Sequence, residues 1–283
     1  MQSSSYAFVN GRFVPEAQAS VSIFDRGFLY GDGVFETMRV YGGKIFRLYN
    51  HLQRMLSGLK VFQIGPKITQ EELRAILFEL IQRNDVMEGM ARIYVTRGPS
   101  GSGVKGQAPW QPTIVAMAKR RSFPSMDIRA VISSIRLDAG SRLAGIKSAN
   151  RALYEIAQHE ARNAGFTDAV LLNGSGHVVE FTTSNVFVVK NGELFTPPLI
   201  DGPLPGVTRD SILTVAARIG MPTYEMSFGT DIFAEADEVF ATNSLIEIEA
   251  VREVDAALYR ERHVTSQLQK AYGELVAEEL QLN

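Results

Sequence analysis

The 283-residue chain carries 29 Lys and Arg against 31 Asp and Glu, a formal charge of -2, with 45% hydrophobic and 21% charged residues. That balance belongs to an ordinary globular chain long enough for two cores, and it gives no electrostatic reason to expect nucleic acid or an anionic membrane as partner. The absence of cysteine excludes disulfides, thiolate metal sites and a cysteine nucleophile, and it suits a reducing compartment. Met1 to Tyr6 lacks the basic and apolar regions of a signal peptide, and no apolar run reaches bilayer-spanning length, so a cytoplasmic protein is expected.

In chain order, Tyr6-Ala7-Phe8-Val9 and Arg12-Phe13-Val14-Pro15 flank Asn10-Gly11, which supplies the positive φ of a tight edge hairpin. After Asp25-Arg26-Gly27, the β-formers from Val34 to Tyr41 and from Lys44 to Leu48 predict a second hairpin across Gly42-Gly43. Asn50 is placed to cap a helix carrying Leu52, Met55, Leu56 and Leu59. Thr69 and Glu72 form a capping-box pattern ahead of Leu73, Ile76, Leu77, Leu80 and Ile81. Ala91 to Thr96 and Thr113 to Ala118 read as buried strands, separated by the glycine-rich Arg97 to Gly103.

Lys119 to Ser125 is polar and ends in Ser-Phe-Pro. This predicts an N-terminal domain over 1–119, a linker over 120–127 and a C-terminal domain over 128–283. In the second half a strand begins at Ile128, and a helix is expected from about Asn150 to Asn163, stopped by Gly165. Strands at Ala169 to Leu172, Val178 to Glu180 and Val186 to Val189 are joined by turns at Asn173-Gly174 and Asn191-Gly192. A helix from Thr208 to Arg218 ends at Gly220, and a last helix carries Leu268, Tyr272, Leu275 and Val276. Hairpins mixed with helices predict an α+β fold, not an alternating βαβ chain.

Chemistry centres on Lys147, in Ala144-Gly145-Ile146-Lys147-Ser148-Ala149-Asn150-Arg151. An amine beside apolar residues is pushed toward neutrality and can form a Schiff base with an aldehyde cofactor. Glu180 is the acid in the apolar run Val178-Val179-Glu180-Phe181, and Gly206-Val207-Thr208 offers backbone donors at a helix start, a natural phosphate seat. Thr242-Asn243-Ser244 adds hydroxyls, and Arg54 is a possible phosphate clamp. Taken singly, each has an ordinary alternative: a surface lysine, a solvent-facing strand acid, a plain N-cap at Thr208, a common turn and a solvated helix arginine.

Together and in this order, these stretches resemble the class IV aminotransferases. Those fold-type IV pyridoxal-phosphate enzymes include branched-chain aminotransferases, D-amino-acid aminotransferases and aminodeoxychorismate lyases. The resemblance runs from Phe8-Val9-Asn10-Gly11 to Glu249-Ala250-Val251. It is carried by Tyr30-Gly31-Asp32-Gly33-Val34-Phe35-Glu36, Gly145-Ile146-Lys147-Ser148, Val179 to Phe187, Leu204 to Arg209 and Ala236 to Phe240. It implies a small N-terminal α/β domain and a larger C-terminal domain, with pyridoxal 5'-phosphate between them in a homodimer. By resemblance Lys147 is the Schiff-base lysine, Glu180 the pyridine-nitrogen partner, and Arg54, Val207, Thr208, Asn243 and Ser244 surround the phosphate. Arg151 falls near the position where branched-chain enzymes carry a tyrosine beside the cofactor.

Tyr30, Phe35 and Arg92 favour a branched-chain-type aminotransferase, Arg92 matching an arginine that can meet a substrate carboxylate. The arginine and histidine with which D-amino-acid aminotransferases hold that carboxylate are missing from Pro99 to Val104. Lys147 to Arg151 and Thr242 to Leu245 resemble the lyase pattern, although Ser102 stands where that family often has an arginine in the glycine-rich loop. The expectation is an aminotransferase acting on an amino acid and a 2-oxo acid. The lyase and then the D-amino-acid enzyme stand as alternatives, and a cofactor-free binding protein on the same fold is the alternative from another class.

Overall fold

A computed structural model of the chain describes residues 5–65, 69–99 and 111–281. Ser102 and most of the glycine-rich stretch expected after Arg97 lie outside these residues. The chain packs as two units, Met1–Phe123 with Ile146–Arg151, and Pro124–Gly145 with Ala152–Asn283. The six residues around Lys147 therefore pack with the N-terminal unit although their neighbours on both sides belong to the other.

In the first unit, β1 (Tyr6–Val9) and β2 (Arg12–Pro15) form the expected edge hairpin, with Asn10 at φ 47° and Gly11 at φ 88°. A short helix that the sequence did not suggest, α1 (Arg26–Tyr30), is capped by Asp25, whose side chain accepts from the Gly27 N–H. Next come β3 (Gly33–Tyr41), β4 (Lys44–Ile45), α2 (Leu48–Val61), α3 (Gln70–Arg83), β5 (Gly89–Thr96) and β6 (Thr113–Arg120). The strands make one antiparallel sheet in the order β2-β1-β6-β5-β3-β4. Its core joins Val34, Met38 and Val40 to Leu52, Met55 and Leu59 of α2 and Leu73, Leu77 and Leu80 of α3.

Two boundaries move. The second hairpin has a two-residue return strand, because Leu48 already turns into α2. Asn50 is not the cap: α2 starts at Leu48 behind Arg47, which is left-handed at φ 49° and makes no side-chain cap. Burial of Leu48 in the helix–sheet core outweighs the local capping preference. The Thr69/Glu72 capping box forms in full, worth about 1 kcal/mol.

The second unit contains β7 (Ile128–Leu137), α4 (Ala152–Asn163), β8 (Asp168–Asn173), β9 (Val178–Phe181), β10 (Asn185–Lys190) and β11 (Glu193–Thr196). It continues with α5 (Val207–Arg218), β12 (Thr223–Glu225), α6 (Ile232–Glu235), β13 (Glu238–Asn243), β14 (Glu247–Val254), β15 (Ala257–Leu258) and α7 (His263–Gln281). These strands form a mixed sheet, β12-β11-β10-β13-β14-β7-β8-β9, with β15 on β14 and parallel pairs at β11/β12, β14/β7 and β7/β8. Leu268, Tyr272, Leu275 and Val276 line the buried face of α7, as their spacing predicts.

Here α4 begins at Ala152 rather than Asn150. Helix α5 begins at Val207 with Gly206 as its cap, so Thr208 is its second residue and not its N-cap. Asn191-Gly192 makes the expected turn at φ 53° and 75°. Asn173-Gly174 does not, since the positive φ falls at Gly176 and the Asn173 side chain accepts from the Ser175 and His177 N–H groups. An Asx turn of this kind competes with the two-residue hairpin that the same dipeptide permits. Among the described residues no helix is long and apolar enough to cross a membrane.

Candidate active site

The lysine segment is tied to β3 through the main chain. Phe35 N–H donates to the Lys147 carbonyl at 3.0 Å, Ala149 N–H donates to the Gly33 carbonyl at 2.9 Å, and Val34 and Ser148 form a bridge. The first half of β3 is thus paired by residues 147–149, and β4 pairs its end at Val40 and Tyr41. Gly31 makes this approach possible: at φ 66° it is left-handed, and a Cβ on it would lie 2.9 Å from the Asn150 Cα. The position of Lys147 therefore depends on backbone pairing with a distant strand, and the helix expected behind it starts only at Ala152.

Alternation along β3 divides its side chains between two faces. On one face Phe35 stacks on Tyr94 with ring centroids 5.2 Å apart, and the Lys147 ammonium sits 4.9 Å from the Phe35 centroid. The Arg92 guanidinium lies 5.7 Å from the same ring, and its Nε donates to Thr37 Oγ1 at 2.8 Å. Thus Lys147, Phe35 and Arg92 are brought together within the first unit. Tyr30, at the end of α1, is exposed and carries the Arg26 guanidinium over its ring at 4.7 Å. Arg151 is half-buried.

On the helix-facing side, Glu36 stands among Val34, Met38 and Val40 with no exposed surface. Arg54 grips it side-on, with Nε to Oε1 and Nη2 to Oε2 both at 2.7 Å, and His51 Nδ1 is 2.8 Å from Oε2. Arg54 is therefore not a solvated helix arginine. Burial by itself would raise the Glu36 carboxyl, but the Arg54 charge and the hydrogen bonds from His51 and Arg54 hold it down at about 2. Burial keeps His51 below its ordinary 6.5 against the pull of Glu36, and the nearby charges of Arg54 and Lys147 press it the same way.

Both shifts act on stability with one sign. Glu36 lies below its ordinary 4.5 and His51 below 6.5, so in acid the unfolded chain takes up protons that the folded chain refuses. Stability should fall as pH drops below 6.5, where unfolded His51 charges, and further from 4.5 toward 2. The Glu36 part amounts to about 3 kcal/mol in full, of which about 2 kcal/mol is lost by pH 3. Urea midpoints measured from pH 7 to pH 3 check this, and a flat profile would contradict it.

In the second unit Glu180 is 5% exposed. It is not the solvent-facing acid of an alternating strand: its Oε1 accepts from the Tyr154 hydroxyl at 3.0 Å, and its Oε2 from the Leu204 N–H at 3.1 Å and the Asn185 amide at 3.4 Å. Asn185 also donates to the Leu204 carbonyl at 2.8 Å, so it joins the carboxylate to the chain leading into α5. At the start of α5, Gly206 makes no side-chain cap, and a Cβ there would fall 2.0 Å from Asn185 Oδ1. Val207 and Thr208 are buried in that first turn.

Thr242 pairs with Asn185 across β10 and β13, is 1% exposed, and its Oγ1 has no hydrogen-bond partner among the described residues. The Asn243 side chain is committed within the protein, donating to Thr183 and Ser184 between β9 and β10 and accepting from the Leu245 and Ile246 N–H groups of its own turn. Ser244 follows it, half-buried. A helix start without a side-chain cap, a buried carboxylate and an unpartnered buried hydroxyl make a donor set that fits a phosphorylated, nitrogen-containing ring.

The amino-transferase class IV family matches residues 33–254. The chain belongs to that family. The match takes in Glu36, Arg54, Lys147, Glu180, Thr208 and Ser244, and begins just after Tyr30. A putative branched-chain-amino-acid aminotransferase of Methanocaldococcus jannaschii is 36% identical over 91% of this chain and 90% of its own length. The aminodeoxychorismate lyase of Bacillus subtilis is 33% identical over 94% and 92%. A D-alanine aminotransferase of Staphylococcus haemolyticus is 30% identical over 95% and 97%.

Among solved structures, the branched-chain aminotransferase of Escherichia coli superposes with a TM-score of 0.91 at 28% identity, covering 96% of this chain and 95% of that one. The T.th. branched-chain aminotransferase complexed with N-(5'-phosphopyridoxyl)-L-glutamate gives 0.89 at 28% identity, covering 96% and 94%.

Sequence reasoning missed Glu36, His51, Tyr154 and Asn185, whereas the Thr242 hydroxyl was among those it named. Glu36 carried a signal, an acid at a core position of an apolar strand, and His51 and Arg54 fall one helical turn apart. Tyr154 and Asn185 carried none, since their roles arise from non-local contacts with one carboxylate.

Proposed function

We propose that this class IV amino-transferase is a pyridoxal-phosphate enzyme of the branched-chain type, exchanging an amino group between an amino acid and a 2-oxo acid. The observation that carries this reading is that one family match spans Lys147, Glu180 and the start of α5 together. When bound, the cofactor supplies an electron sink for the charge left at the substrate Cα. Lys147 would hold it covalently through its amine and, once released, would carry a proton to and from Cα. Glu180 would hold the proton on the pyridine nitrogen, with Tyr154 and Asn185 orienting the carboxylate.

Arg54, the backbone of Val207, the hydroxyls of Thr208 and Ser244, and the turn at Asn243 would hold the phosphate. Arg92 would meet a substrate carboxylate, Phe35 and Tyr30 would flank the side chain, and Arg151 would approach the outer edge of the ring. A cytoplasmic homodimer suits a chain with no cysteine and with an exposed apolar run of Val21, Ile23, Phe24, Phe28 and Leu29.

The second reading, loss of pyruvate from aminodeoxychorismate, is favoured by the Bacillus subtilis relative together with Lys147-Ser148-Ala149-Asn150-Arg151. The visible spectrum separates the two. With an aminotransferase, the absorption of the loaded protein bleaches on adding L-leucine or L-glutamate, or D-alanine if the substrate hand is reversed. A spectrum that none of them changes, with pyruvate released from aminodeoxychorismate, would overturn the aminotransferase reading in favour of the lyase.

A further inference from the structure

We infer that Glu36 and His51 are positioning residues for cofactor phosphate recognition, acting through Arg54 from the buried interior of the first unit. The inference rests on the proposed role of Arg54 and extends it to two residues outside the expected site. An arginine side chain has about 2 kcal/mol of rotamer entropy, so a phosphate clamp built on a bare helix arginine would spend affinity on ordering it. Here the ordering is done in advance. Both contacts of the Nε and Nη2 edge with Glu36 measure 2.7 Å, which sets the plane and heading of the guanidinium.

Glu36 is fixed in turn. It stands on β3, paired to β5 at Ile93, and its Oε2 is 2.8 Å from His51 Nδ1 one helical turn before Arg54. With Nδ1 protonated, His51 donates to that oxygen. Packing alone does not account for the arrangement. An apolar side chain at 36 would continue the row of Val34, Met38 and Val40, whereas a buried carboxylate is costly unless fully paired. The same unit places the Lys147 charge near enough to His51 to lower it, so the cluster lies close to the amine proposed to hold the cofactor.

Two effects of opposite sign compete. Glu36 neutralises part of the Arg54 charge, which weakens its pull on an anion, and it also orients the fork, which strengthens recognition. Orientation prevails because planar bidentate recognition tolerates about 10–20° of misalignment, whereas a freed guanidinium samples whole rotamers.

The test titrates the full chain, stripped of cofactor, with pyridoxal 5'-phosphate and with pyridoxal, the same aldehyde lacking the phosphate. Glu36→Gln is expected to weaken the phosphorylated ligand about tenfold and to leave pyridoxal within about twofold. His51→Gln should act in the same direction by about threefold, and it carries the comparison should Glu36→Gln fail to fold. A purely structural role would weaken both ligands alike. That result, no change in either, or tighter binding of the phosphorylated form would overturn the inference.

Arg54→Lys, which keeps the charge and loses the fork, separates the two levels. If it leaves the preference for the phosphorylated ligand intact, the role of Arg54 itself fails. If it lowers that preference while Glu36→Gln and His51→Gln do not, the role of Arg54 stands and positioning fails.

Discussion

Lys147→Ala is expected to reduce turnover by at least about a thousandfold while the chain still folds. The main-chain contacts that hold this segment to β3 use the carbonyls of Lys147 and Gly33 and the amides of Phe35 and Ala149, and alanine keeps all of them. What disappears is the ammonium over the Phe35 ring, worth roughly 0.5–1 kcal/mol of stability. The loss should therefore be almost entirely chemical, because alanine has no amine with which to carry the Cα proton proposed for Lys147. Single-turnover amino-group transfer, followed beside the thermal midpoint, measures both quantities. Substantial transfer by the alanine variant would defeat the assignment of Lys147, and a collapsed midpoint would mean that the segment is held by more than its backbone.

For Glu180→Gln the expected result is retained cofactor binding with Cα proton transfer slowed by about 10²–10³-fold. Glutamine keeps the size of the side chain and removes its charge. Donors now aimed at the carboxylate from Tyr154, Leu204 and Asn185 would meet an amide offering one acceptor oxygen and two donors of its own. The pyridine nitrogen would lose its reason to stay protonated, so the effect should appear in the pH dependence of the visible spectrum as well as in the rate. A Tyr154→Phe variant, which leaves the carboxylate charged, should disturb that pH dependence far less than Glu180→Gln does. An unchanged transfer rate in Glu180→Gln would exclude the acid from the reaction.

Features of the fold that were legible in the sequence depend on neighbours in the chain. The Asn10-Gly11 and Asn191-Gly192 turns, the Thr69/Glu72 box and the apolar face of α7 are each settled within a few residues, by positive φ, by a reciprocal cap and by helical spacing. Local rules also misled. Asn50 is a good cap in isolation, but Leu48 gains more by entering the helix–sheet core, and at Asn173 the same dipeptide that makes a hairpin turn at 191 is drawn into an Asx turn. The site shows the same division. Lys147, Glu180 and the start of α5 stood out as chemical types in apolar or glycine-led surroundings, whereas Tyr154, Asn185 and His51 gave no cue on their own.

The sequence by itself determined the family and the α+β class and nominated Lys147 and Glu180 as the groups to test, because residue type and near spacing suffice for these. Only the tertiary structure decided that Lys147 is held by β3, that Arg54 is gripped by a buried Glu36, and that Glu180 is a fully engaged acceptor and not a solvated strand acid. The physical reason is that hydrogen bonding and burial of a polar group depend on which distant segment arrives beside it, and that choice is made by the packing of whole sheets and helices.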